Sequence, residues 1–147
     1  MMTVCTFFGH SDCHCLDRDL LKQTIEDQIA QGVNEFLVGH QGAFDSTVYT
    51  CLKLLKAQYP HIQYHVVLAY LPRPAQKYEI KSDTIYPEIE GHPKFAIDRP
   101  NRYLIKESDI CLCYINHTWG GAYKYVRMAK RRNLKIINLG NLKEEDI

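Results

Sequence analysis

A strong charge imbalance is the first thing this sequence lacks. Its 147 residues carry a formal net charge of +1, so there is no global basic field of the kind that marks a nucleic-acid binder. No run approaches the roughly 18–20 apolar residues that cross a bilayer, which argues against a membrane partner. The first residues enter a strand-like run with no basic segment or small-residue cleavage site, so no secretory signal is expected. Six cysteines are present but no Cys-x-x-Cys pair, and without a secretory signal they are expected to be reduced thiols in a cytoplasmic protein. Cys13-His14-Cys15 beside His10 offers zinc-type donors. The usual pair spacing and a second pair of ligands are missing, so no metal centre is expected. Internal repeats and low-complexity tracts are absent, and Trp119 is the only tryptophan. Acidic residues are missing from 110–143, where Lys124, Arg127, Lys130, Arg131, Arg132, Lys135 and Lys143 all lie. Such a run is usually a solvated helix face.

What is present is alternation. A chain of this length makes one domain with a sizeable core. Residues 3–8 form a short apolar run. Asp17 is placed to cap a helix whose apolar positions Leu20, Leu21, Ile25 and Ile29 keep a helical period, with Gly32 as its stop. Residues 35–38 read as a second strand, followed by a helix with Phe44, Val48, Cys51, Leu52 and Leu55 inside and Pro60 beyond its end. A third strand lies in 62–70. Residues 71–98, with four prolines and several charges, read as an irregular insert of the sort that is usually a functional loop. Glu88 and Glu90 there are candidates for a lid. Pro100 and Asn101 lead into a short helix over 102–107, residues 110–115 form a fourth strand, 135–139 a fifth, and the last eight residues a polar tail. Strands alternating with helices at these spacings predict an α/β domain, Rossmann-like, with a mostly parallel five-stranded sheet in the order 3-2-1-4-5.

That order reverses between strands one and four, and ligands of such sheets bind outside the carboxyl ends of the strands at the reversal. Three polar, glycine-bearing turns converge there: Gly9-His10-Ser11-Asp12, Gly39-His40-Gln41-Gly42-Ala43 and Asn116-His117-Thr118-Trp119-Gly120-Gly121. The last opens a helix whose first turns carry Lys124 and Arg127. A helix start of this kind favours phosphate or carboxylate through its free N–H groups and its dipole.

The series Gly9-His10-Ser11-Asp12, Val38-Gly39-His40-Gln41-Gly42-Ala43-Phe44-Asp45, Arg99-Pro100-Asn101-Arg102 up to Ser108-Asp109, and Trp119-Gly120-Gly121-Ala122 resembles the motifs of the SLOG superfamily. Those Rossmann-like proteins include DNA-processing protein A and the Lonely-guy phosphoribohydrolases. The likeness runs from Val4 to about Leu139 and is strongest to a small bacterial branch with a Trp-Gly-Gly-Ala-Tyr-Lys turn. It implies a ligand-facing role for Gly42 and Asp45 and an anion-contacting Arg102. Aligned on Gly120 and Gly121, Arg127 stands where the Lonely-guy enzymes carry a catalytic glutamate. A cation cannot serve there as general base, which suits binding a phosphate better than cleaving a glycosidic bond.

The expectation is therefore a nucleotide or nucleotide-derived ligand, bound for sensing or regulation. Gly9, Gly42, Gly120 and Gly121 would shape the backbone. Arg102 and Lys124 would hold phosphate, Asp45 would take ribose or base, and Trp119 would offer a stacking face. His10 and His117 would flank the crevice from opposite sides. Each has a plain structural alternative: an ion pair of Arg102 with Asp98 or Glu107, dipole stabilisation by Asp45, space-filling by Trp119, a solvated or satisfied imidazole. Two rival functions stay open, a nucleoside 5′-monophosphate hydrolase and single-stranded DNA binding through the basic helix. A homo-oligomer is also compatible, since domains of this build often pair.

Overall fold

The first strand, β1 (Val4–Gly9), is apolar on both faces and its first five residues are buried, which is the pattern of a parallel strand covered on both sides. The same holds for Ile110–Tyr114, buried at every position. Between and around them the computed structural model, which describes residues 3–40, 42–68, 84–85 and 98–147, places helix α1 (Arg18–Ala30), β2 (Glu35–Val38), α2 (Ala43–Gln58), β3 (Gln63–Val67), β4 (Thr84–Ile85), α3 (Asp98–Lys106), β5 (Ile110–Tyr114), α4 (Gly121–Arg131) and β6 (Lys135–Asn138). Residues 69–83 and 86–97, with the expected insert and its lid candidates Glu88 and Glu90, and Gln41 lie outside the described residues.

All pairings are parallel, and the sheet runs β4-β3-β2-β1-β5-β6. The five longer strands follow the expected order. The addition is β4, two residues that pair with Val66 and Val67 at the edge. Two residues are too short to show a strand period, so nothing in the sequence marks them as a strand.

Strand alternation sorts side chains between two cores. Cys5, Phe7, Phe36, Val38, Ile110, Leu112 and Tyr114 meet α1 and α2 on one face. Val4, Phe8, Leu37, Cys111, Cys113 and Ile115 meet α3 and α4 on the other. The helix ends follow local chemistry. Asp17 accepts a hydrogen bond from Leu20 N at 3.0 Å and so caps α1. Gly32, at φ +105, turns the chain out while Val33 N reaches back to Gln28 O. Asn133, at φ +66, ends α4 in the same way, with Leu134 N on Ala129 O.

Three details differ from the expectation. Helix α3 begins at Asp98 rather than Arg102, with Pro100 in its first turn, where a missing N–H costs nothing. On α1, Leu20 is 45% exposed while Gln28 is buried, so the inner stripe is turned slightly from the apolar pattern. The tail is also not wholly polar in its packing. It makes a 3-10 turn at Glu144–Asp146, Ile147 packs into the second core, and Lys130 Nζ donates to the carbonyls of Glu144 and Ile147.

Candidate functional site

Beyond Gly9 the chain stays beside β5, His10 N donating to Tyr114 O at 3.2 Å. Helix α2 approaches this point so closely that a Cβ on Gly9 would lie 2.3 Å from the Phe44 ring. Gly9 therefore lets the start of α2 seat on the end of β1. Asp45 follows Phe44, and its carboxylate overlies the end of β2: a Cβ on Gly39 would sit 3.0 Å from Asp45 Oδ2.

The turn from β5 to α4 is fixed from the other side. Asn138, at the end of β6, accepts from Ile115 N and Gly140 N and donates to Ile115 O and Leu142 O. Asn116 accepts from Asn141 N at 2.7 Å. Gly140 has no room for a side chain, since a Cβ would fall 2.3 Å from the Ile115 carbonyl oxygen. Asn138 was not singled out from sequence, because an asparagine at a strand end carries no local signal of a partner 23 residues away.

On this frame α4 begins at Gly121. Its N-cap is Gly120, at φ +93, a region that favours glycine. No side chain caps this end, and its first turn contains no acid. A Cβ on Gly121 would meet nothing within 4 Å, so the backbone faces open space. Between this helix start, the end of β1, the first turn of α2 and α3 lies a cavity of about 270 Å³, lined among the described residues by Gly9, Asp45, Asn101, Leu104, Gly121 and Tyr125 together with Phe7, Phe8 and Ala122. It sits at the β1–β5 reversal, where the strand order placed the crevice.

The two histidines come from opposite sides, as expected, but they meet instead of standing apart. His10 and His117 stack at 3.6 Å between centroids and 13° between planes, and His117 stacks on Trp119 at 3.8 Å and 17°. Trp119 is 67% exposed. It therefore does not fill space beneath the turn; it ends a three-ring stack with one face toward solvent. His10 is only 4% exposed, and its Nε2, like His117 Nδ1, has no hydrogen-bond partner among the described residues. Burial, then the neighbouring His117, push His10 below the ordinary imidazole range, with Asp12 opposing. His10 is neutral near pH 7.

Arg102 does not line the cavity. Its Nε is 2.6 Å from Asp98 Oδ2, the ion pair that stood as its structural alternative. Asp98 also accepts from the Tyr125 hydroxyl at 2.6 Å and lies 3.8 Å from Lys124 Nζ. The Tyr125 hydrogen bond, followed by Arg102 and Lys124, holds the Asp98 carboxyl below its usual range against the opposing effect of burial. Tyr125 is pushed up to about 12 by burial and by Asp98, so it remains a hydroxyl. Both candidate phosphate cations thus lie beside one carboxylate, Arg102 in close contact and Lys124 more loosely.

The residue that does enter the wall is Asn101, buried and hydrogen-bonded with Tyr125. Tyr125, not Tyr123, is the inward aromatic of α4, stacked on Phe8 at 5.7 Å. Gly42 is exposed and extended, at φ 175, a conformation any residue adopts; it caps α2 and does not line the cavity. Among the described residues no three histidine, cysteine, aspartate or glutamate side chains converge on a metal position, and no helix is long and apolar enough to cross a membrane. No protein-family model matches the chain, and no curated protein matches it.

Proposed function

We propose that this protein binds a nucleotide or nucleotide-derived small molecule in the crevice between β1 and β5, and that its role is carried out by binding. The observation that carries the reading is the start of α4: an uncapped helix end without acid or side-chain obstruction at Gly121, opening onto a cavity at the sheet's reversal. Its free N–H groups and dipole suit a phosphate. Lys124 and Arg102 stand at the rim as the cations for that phosphate, with Asp98 holding both in place until an anion competes for them. Asp45 faces the sugar or base, and the solvent-facing indole of Trp119 offers a stacking platform supported by two imidazoles. The motif series resembling SLOG proteins falls on these same turns, and membership of that superfamily is part of this proposal.

A hydrolase of nucleoside 5′-monophosphates is the second reading, favoured by Asp45, the one carboxylate in the cavity wall among the described residues. Arg127 argues for binding instead: it lies over the Tyr123 ring at 5.7 Å and supplies no base.

A thermal-shift panel of mono-, di- and triphosphates, dinucleotides, cyclic nucleotides and ADP-ribose tests the proposal. A ligand at 100 times its dissociation constant stabilises by about 2.7 kcal/mol, a shift of several degrees. The shift should be lost in Gly121→Asp, which places a carboxylate where the phosphate would sit and whose Cβ meets no atom within 4 Å, and weakened in Arg102→Ala. Release of free base on prolonged incubation would favour the hydrolase. No shift from any compound would refute the nucleotide reading and turn attention to a protein or nucleic-acid partner.

A further inference from the structure

The ring stack joins two elements through side chains that titrate. His10 follows β1, and His117 and Trp119 belong to the turn between β5 and α4. The rings lie face to face, at 3.6 Å and 13° for His10 on His117 and at 3.8 Å and 17° for His117 on Trp119. Such a stack holds while its rings are neutral. One positive charge in it is tolerated, because an indole face attracts a cation. A second charge only 3.6 Å from the first is repelled, the more strongly for lying out of water. The inner end of the stack is out of water: His10 is 4% exposed, while the indole at the other end is 67% exposed. The groups whose charge bears on His10 are His117, from the turn after β5, and Asp12, exposed on its own turn. Burial and then His117 hold the His10 imidazole below its ordinary range, and Asp12 opposes them more weakly. A proton is therefore bound more tightly once His10 leaves the stack. Acid favours the parted form, by about tenfold per pH unit for each extra proton.

The frame around the stack limits what can part. Asn138 holds Ile115 through both its N–H and its carbonyl, and Asn116 accepts from Asn141 N. The stretch left to move is 117–120, which ends at Gly120, the N-cap of α4 at φ +93. His117 lies beside that cap, since a Cβ on Gly120 would come 3.9 Å from its Cε1. We infer that the His10–His117–Trp119 stack is an acid-released clasp: with neutral imidazoles it holds the turn before α4 against the end of β1, and with both protonated it parts, freeing Trp119 and residues 117–120 while the fold persists. The start of α4 is thus set in place at neutral pH and loosened in mild acid, whatever ligand it takes.

Trp119 is the only tryptophan, so its emission reports the clasp without a label. The experiment is time-resolved fluorescence anisotropy of the full chain from about pH 7.5 to about pH 5, the interval in which imidazoles titrate. Histidine ring protons and backbone amides are followed by NMR in the same samples. The indole should tumble with the protein at the upper pH and gain fast local motion at the lower. The ring protons of His10 and His117, shielded in the stack by their neighbours' ring currents, should move to unshielded positions over the same interval. Amides of α1 and β2, remote from the stack, should keep their positions. His10→Phe supplies a ring that takes no proton. A single charge on His117 then lies between two aromatic faces, and the indole should stay rigid at the lower pH. An indole that stays rigid in the wild type at about pH 5, with the fold intact, would overturn the clasp. Equal loosening in His10→Phe would overturn it too, because a pair of charges would not be the cause. Loss of the remote amides together with the indole would do the same, since parting would then be global unfolding. Should His10→Phe not fold, His117→Phe removes the same charge pair and should keep the indole rigid, and the wild-type titration decides if neither folds.

Discussion

Helices α2 and α4 both start on a glycine, Gly42 and Gly120, with no side chain capping the end, yet their first turns carry opposite charge. Helix α2 has Asp45 there; α4 has no acid and is followed by Lys124. Both starts follow strands of one parallel sheet and border one cavity. Helix α1 gives the reference case, closed by its own Asp17. The positive end of α1 is thus met by a cap and that of α2 by its own carboxylate, while that of α4 is left open beside a cation. On the proposed reading, a ligand would meet a negative charge at the start of α2 and a positive one at the start of α4, and that asymmetry would set its orientation.

The largest expected effect falls on the seat of α2. Gly9→Ala forces a methyl into the Phe44 ring and should destabilise the fold by about 1–3 kcal/mol, as overpacked cores do. Gly121→Ala, with nothing within 4 Å, should be close to neutral. Denaturant unfolding of the two variants side by side would show whether one glycine serves packing and the other access. Equal effects would remove the distinction.

Asp17→Ala should cost about 1 kcal/mol through loss of the α1 cap and leave nucleotide affinity unchanged, since Asp17 does not line the cavity. An affinity change in that variant would mean that the start of α1 belongs to the site. In Gly121→Asp the helix dipole should raise stability by about 0.3–1 kcal/mol while binding is lost. The opposite signs of those two readouts are what separate an open helix start from a merely weak one.

The smallest effect is confined to a narrow pH window. His10 has a folded pKa below its ordinary 6.5, so the unfolded chain takes up the proton first. The contribution is complete above about pH 6.5 and is lost as pH falls through the lower folded value. Acid titration of stability should show this loss, and His10→Gln should flatten it. Acidification that left stability unchanged across that window would contradict burial of a neutral imidazole in the stack.

The architecture was legible because its signals are local. Short apolar runs, an aspartate before a periodic segment and a glycine after it are enough to place β1, α1 and β2, and the connection rules of alternating α/β chains then suggest the order of the five longer strands. The site was legible to the level of its turns, and its inner wall was not. Starting α3 at Arg102 hid the phase of that helix. Once it begins at Asp98, Arg102 comes four residues on, beside Asp98, while Asn101, Leu104 and Ile105 turn inward. The ring stack joins the end of β1 to the turn after β5, a contact that depends on the tertiary fold and on no sequence period.

The most direct test follows backbone amides by two-dimensional NMR during titration with a ribonucleoside 5′-monophosphate and, separately, inorganic phosphate. The account predicts the largest saturable shifts at the N–H groups of Gly121 and Ala122, with Leu20, already bonded to Asp17, unmoved. Shifts centred on the start of α1 or α2, or no saturable shift at α4 at all, would contradict it.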